Sequence, residues 1–322
     1  MRAPNQLGQW PELSFDSWED TYRTLHMDMQ VVGKVRLALS PKWNQCWQVP
    51  FYATARGMTT SPMPCGDRTL EIRFDFIDHR LLFETSDGNR RELELVPRTV
   101  ADFYGEVFAT LGSLGCDVHI WPQPVEIPDP IPFGDDRVHG AYDREAVGRF
   151  WTITREVDVI LKEFRGRFRG KCSPVHFFWG SFDLAVTRFS GKLAPERPDA
   201  DPITRDAYDE EVSSVGFWPG DAELGGPAFY SYMAPEPPGF ATARPSPKDA
   251  YYDTRLKEMI LPYEAVRRAK DPRGAILEFA ESTYELGARA AGWDVGFLAY
   301  GDEEKQRIDS SRALDAGAHP PH

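Results

Sequence analysis

Leu70-Glu71-Ile72-Arg73-Phe74-Asp75-Phe76 alternates apolar with charged side chains without a break. Side chains of a strand point to opposite faces in turn, so this spacing predicts a strand that buries Leu70, Ile72, Phe74 and Phe76. Working outward, Asp78-His79 offers a turn, residues 80–84 a partner strand, Asp87-Gly88 a hairpin turn and residues 92–96 a return strand. Helices flank this sheet. Upstream, Tyr22, Leu25, Met29, Val32 and Val35 recur at helical spacing over residues 17–39, with Ser17 placed as N-cap, Asp20 three residues on and Pro41 as the stop. Downstream, Val100, Phe103, Val107 and Leu111 mark a helix from Pro97 to about Leu114, and Gly115 is its natural C-cap. Residues 47–54 and 118–121 read as further strands, and 56–64 as a turn-rich loop.

Five prolines between residues 122 and 132 make an extended connector, because proline fixes φ and removes a donor. Beyond it the order repeats. Asp143 caps a helix that runs to about Phe168 on the rhythm Phe150, Ile153, Val157, Ile160, Phe164. Residues 175–179, 184–189, 211–217, 229–233 and 259–261 follow as strands, and 275–291 closes as a helix. The expectation is an α+β protein: long helices packed on antiparallel sheets, in two similarly ordered halves, 8–134 and 135–298, that form one globule. Residues 299–322 are polar and aperiodic, and read as a disordered tail. Residue identity between the halves is poor. A shared order also follows simply from helices and sheets each having one face to bury.

The 322 residues are 41% hydrophobic and 27% charged, the composition of a folded chain. Their net charge of −13 repels phosphate backbones and anionic lipid heads, which argues against nucleic acid or a membrane surface as main partner. No apolar run is long enough to span a bilayer, and the first ten residues lack the apolar core of a signal peptide. Cys46, Cys65, Cys116 and Cys172 show no paired spacing and read as reduced thiols of a cytoplasmic protein. Metal-ligand spacings, P-loops, dinucleotide fingerprints and nucleophile elbows are absent, so neither a metal nor an organic cofactor is implied.

Three groups of residues carry possible chemistry. His26, Gln30 and Lys34 fall at i, i+4 and i+8, one row along a helix that Val31, Val32, Val35 and Leu37 make apolar on most other sides. Such a row is either a pocket wall or an exposed stripe, and if buried it needs partners. The loop with Thr54, Arg56, Gly57 and Thr60 offers hydroxyls, free amides and a guanidinium fork suited to an anion; Thr187, Arg188, Ser190 and Lys192 offer a similar set. In the aromatic run from Val175 to Asp183, Phe177, Phe178, Trp179 and Phe182 surround His176 and Asp183. An aromatic-walled cleft would desolvate His176 and make it a general acid or base, with Asp183 to orient it. A satisfied core histidine is the competing reading.

Residues 24–26, 30–37, 54–57, 59–62, 171–183 and 185–191 together resemble a bacterial family catalogued only as a domain of unknown function, over nearly the whole chain up to about Trp293. The resemblance implies one unit spanning both halves of a soluble bacterial protein. It carries over no activity, cofactor or site residue.

These readings combine into one expectation. A small polar or anionic metabolite binds in an aromatic-lined cleft between the halves, lined by His26, Gln30, Lys34, Arg56, Thr60, Trp179 and Arg188, with His176 and Asp183 as the catalytic pair if chemistry follows. The alternatives are a non-catalytic protein-interaction module, whose Pro-rich loops would form the partner surface, and a divalent-metal enzyme. An enclosed pocket lined by His176 and Arg56 would favour the first reading.

Overall fold

Residues 10–300 are described by the computed structural model of the chain, whose first α-helix is α1 (Glu19–Leu39). Six strands follow: β1 (Tyr52–Ala53), β2 (Gly57–Thr59), β3 (Met63–Cys65), β4 (Arg68–Asp75), β5 (Arg80–Thr85) and β6 (Arg90–Glu94). Next come α2 (Val100–Ser113) and, after the proline-rich connector, α3 (Arg144–Gly166). The second run of strands is β7 (His176–Phe178), β8 (Asp183–Leu193), β9 (Glu210–Trp218), β10 (Ala228–Ala234), β11 (Tyr251–Asp253) and β12 (Glu258–Pro262), with a short α4 (Pro202–Ala207) between β8 and β9. The helices α5 (Tyr263–Arg267), α6 (Pro272–Ala290) and α7 (Val295–Leu298) complete the described chain.

The class is α+β. One antiparallel sheet has the order β1-β2-β4-β5-β6, with β3 also paired to β4; the other has the order β11-β12-β10-β9-β8-β7. The alternating stretch forms β4, in register with β5 through Leu70–Thr85 and Phe74–Leu81, and its even-numbered apolar residues are buried. Phe51 and Phe177 exchange both backbone hydrogen bonds at 2.9 Å, so the β1 edge of the first sheet abuts the β7 edge of the second. Helices α3 and α6 cover one face of the second sheet.

Local differences from the sequence reading have identifiable causes. Ser17 does not cap α1: its Oγ donates back to the Ser14 carbonyl at 2.7 Å within a 3₁₀ turn, and the helix starts after Trp18. The strand expected over 47–54 shrinks to two residues because Gln45 and Cys46 sit at positive φ in a preceding turn. Residues 118–121 form no strand. The loop expected over 56–64 instead holds β2 and most of β3, separated at Ser61, whose φ is +56°. Cys65 and Cys116 are not reduced thiols. They form a disulfide, with Cα atoms 5.9 Å apart, that ties β3 to the segment after α2. Cys46 and Cys172 remain free. Ala299 bridges to Phe168, so the start of the expected tail is held; residues 301–322 lie outside the described chain.

Helix α1 decides where chemistry can occur. Every residue from Thr24 through Arg36 is buried, so the helix is enclosed on all sides rather than along one stripe. That encloses six polar side chains, Thr24, His26, Asp28, Gln30, Lys34 and Arg36, each of which costs free energy unless a partner meets it.

Candidate functional site

Two members of the polar row are scaffolding. His26 Nε2 donates to the carbonyls of Gly180 at 2.8 Å and Trp179 at 3.1 Å, which fixes the turn after β7. Burial pushes its pKa down to about 4, against those two hydrogen bonds, so the ring is neutral at pH 7. Gln30 grips the backbone of Val125 in both directions, Nε2 to the carbonyl and the amide to Oε1, each at 2.8 Å. It behaves as a short piece of strand that anchors the proline-rich connector. Trp179 is a wall rather than a polar contact: it is buried, and its Nε1 donates to the Val49 carbonyl at 2.9 Å. Lys34, the third residue of the row, makes no ion pair and no hydrogen bond among the described residues. Its ammonium lies 4.9 Å from the ring centre of Trp121 and 6.0 Å from that of Trp179.

Arg36, one half-turn further, was not singled out from the sequence. It is 3% exposed, its Nε has no hydrogen-bond partner, and no carboxylate pairs with it among the described residues. Its guanidinium lies 5.7 Å from the ring centre of Tyr52. The Tyr52 hydroxyl is 3.3 Å from His176 Nε2. His176 is 1% exposed, packed edge-on against Trp47, Tyr52 and Phe178. Burial first, then the positive charges of Arg36 and Arg165, push its pKa down to about 3, so at neutral pH it is an uncharged base. The half-buried rings of Trp47, Tyr52 and Phe178 form the outer rim. Lys171, ion-paired with Glu210 at 2.5 Å, lies over the rings of Phe189 and Trp47. Strand alternation places His176 and Phe178 on this face, and Phe177 in the core against Phe150 and Phe182.

Asp183 does not orient His176. Its two oxygens accept from the Ser181 hydroxyl and the Tyr230 hydroxyl instead. Burial raises its pKa, partly offset by those hydrogen bonds. Gly216 makes this possible: a Cβ there would lie 2.5 Å from the Tyr230 hydroxyl, so only glycine lets the tyrosine lie across β9 to reach β8.

The remaining expected residues lie elsewhere. Arg56 is half-exposed and ion-paired with Asp75 at 2.5 Å and Asp78 at 2.7 Å. Thr60 is fully buried and structural: its hydroxyl accepts from the Ile72 amide at 3.0 Å and donates to the Ser61 carbonyl at 2.8 Å. Arg188 points to the helix-covered side of the second sheet, where it stacks 3.4 Å over Phe164 and pairs with Glu281 at 3.0 Å. The expected single hollow is therefore not formed by these groups. A surface cavity of about 400 Å³ is lined by Leu13, Pro227, Tyr251, Tyr263 and Arg267 rather than by His176 or Arg56, and both of its arginines pair with Glu264. With its cations neutralised locally, it offers a ligand little beyond shape. Among the described residues no three His, Cys, Asp or Glu side chains form a group able to hold a metal ion. No helix among them is long and apolar enough to cross a membrane.

The sequence signal that would have found Arg36 was present. An arginine set among Val31, Val32, Val35 and Leu37 in an all-round apolar helix has no water to turn to. Tyr52 carried no such signal, because only the Phe51–Phe177 bridge brings it to His176. A family model described as a family of unknown function (DUF5996) matches residues 10–300. No curated protein and no solved structure matches the chain.

Proposed function

We propose that the chain, which belongs to the family of unknown function DUF5996, binds a small anion at Arg36, where the expected halves 8–134 and 135–298 meet. The observation that carries this reading is an arginine 3% exposed, with its Nε buried and unpartnered and no carboxylate beside it among the described residues, in a protein of net charge −13. An uncompensated buried charge is costly, and a carboxylate or phosphate is the partner that a planar guanidinium fork fits best. Tyr52 supplies a hydroxyl beside it, and Trp47 and Phe178 supply apolar walls for the body of the ligand. His176 is the base of the site, uncharged and 3.3 Å from Tyr52 Oη, and any proton transfer runs through it.

The test is a thermal-unfolding titration with acetate, benzoate, phosphate and sulfate, repeated on Arg36→Met. Anion-dependent stabilisation of the wild type that disappears in the variant supports the reading. Equal stabilisation of both proteins, or none of either, overturns it.

A further inference from the structure

We propose a second seat, separate from Arg36, in which Lys34 and Trp121 hold a planar aromatic anion. The row His26, Gln30, Lys34 is one face of α1, and its three members divide the work unequally. His26 fixes the turn that carries Trp179. Gln30 fixes the connector at Val125, four residues after Trp121. The two anchors bring two indoles to the third member of the row, and that member alone has no acid and no acceptor among the described residues. Lys34 is 5% exposed, and burial lowers its pKa, as expected for an ammonium that lacks a counter-charge.

The two indoles differ. Trp179 is 4% exposed, bonded to Val49 and pressed on the backbone of α1 at Gly33. Trp121 is 67% exposed, so much of the indole beside the Lys34 ammonium is open to solvent. The ring faces of both indoles already favour the ammonium, but a ring quadrupole cannot cancel a full charge. A flat aromatic body stacked on Trp121, with a carboxylate turned inward to Lys34, supplies both missing contacts.

The seat is tested with 2-naphthoate, using tryptophan fluorescence and calorimetry on the full chain. Naphthalene-2-carboxamide is the uncharged control and cyclohexanecarboxylate the non-aromatic one. Lys34→Met and Trp121→Ala should each weaken 2-naphthoate by about tenfold or more, and both controls should bind more weakly than 2-naphthoate. Trp121 is exposed, so Trp121→Ala tests the seat without disturbing the core. Because the Arg36 site would also accept an aromatic carboxylate, the titrations are repeated with Lys34→Met and Trp121→Ala each made on the Arg36→Met chain, where the same losses of about tenfold are expected if the seat is separate from the anion site above. Wild-type affinity in both Lys34→Met and Trp121→Ala, equal binding of the carboxamide, or no 2-naphthoate binding overturns the proposal.

Discussion

The indole of Trp179 lies against the backbone of α1 at Gly33, where an added Cβ would sit 2.3 Å from Trp179 Cδ2. Helix and indole approach as closely as they do because that residue has no side chain, and the polar row of α1 reaches the turn at Gly180 through this contact. Gly33→Ala should therefore cost about 1–3 kcal/mol by overpacking, although alanine is the better helix former. Urea unfolding measures it; a neutral or stabilising substitution would show that the indole is free to move away.

Arg36→Met should raise the stability of the ligand-free protein. Methionine fills a similar length without burying an unpaired charge, and such replacements are often stabilising. Loss of anion binding together with a higher melting temperature is the pattern of a residue kept for function. A variant less stable than wild type would mean that the guanidinium holds the fold.

Acid should weaken the fold through its buried histidines. The pKa of His26 is pushed down to about 4 and that of His176 to about 3, against 6.5 for the free side chain. Between those values the unfolded chain binds protons that the folded one does not, so stability falls as pH drops below 6.5. Each ring contributes a slope of about 1.4 kcal/mol per pH unit at most. His26→Gln should flatten the decline of stability between pH 6.5 and pH 4, measured by denaturant melts across that range. An unchanged slope would place the proton elsewhere.

Asp28 acts in the opposite sense. It is buried on α1 with Oδ1 unpartnered, and burial, reinforced by Asp136, raises its pKa well above 3.8. The folded state keeps a proton that the unfolded state has released, so this group's contribution falls as pH rises above 3.8. Asp28→Asn should stabilise the protein by about 1–3 kcal/mol at pH 7 and give no gain at pH 3. A gain that persists in acid would have to come from packing instead.

The Cys65–Cys116 bond closes a loop with a sequence separation of 51, for which the chain-entropy estimate is about 4 kcal/mol. Cys65→Ala, or reduction, should lower stability by up to that amount. Thiol titration of the denatured protein without reductant should find Cys46 and Cys172 alone reactive. Four reactive thiols would contradict the bond.

Local spacing is enough to read the α+β class, the two sheets and most helix positions. Periodicity is a local property, and β4, α2, α3 and α6 follow it to within a few residues. It also marked His176 and the row on α1 as unusual. Which of those groups find partners depends on the packing of distant elements. His26, Gln30, Arg56 and Arg188 meet carbonyls or carboxylates from 19 to 154 residues away, whereas Lys34 and Arg36 meet none among the described residues. Nothing in the spacing of a polar side chain records its distant partner, because that partner is set by how sheets and helices pack after the local elements exist. The same holds for Cys65 and Cys116, which are joined by the packing of β3 beside the end of α2.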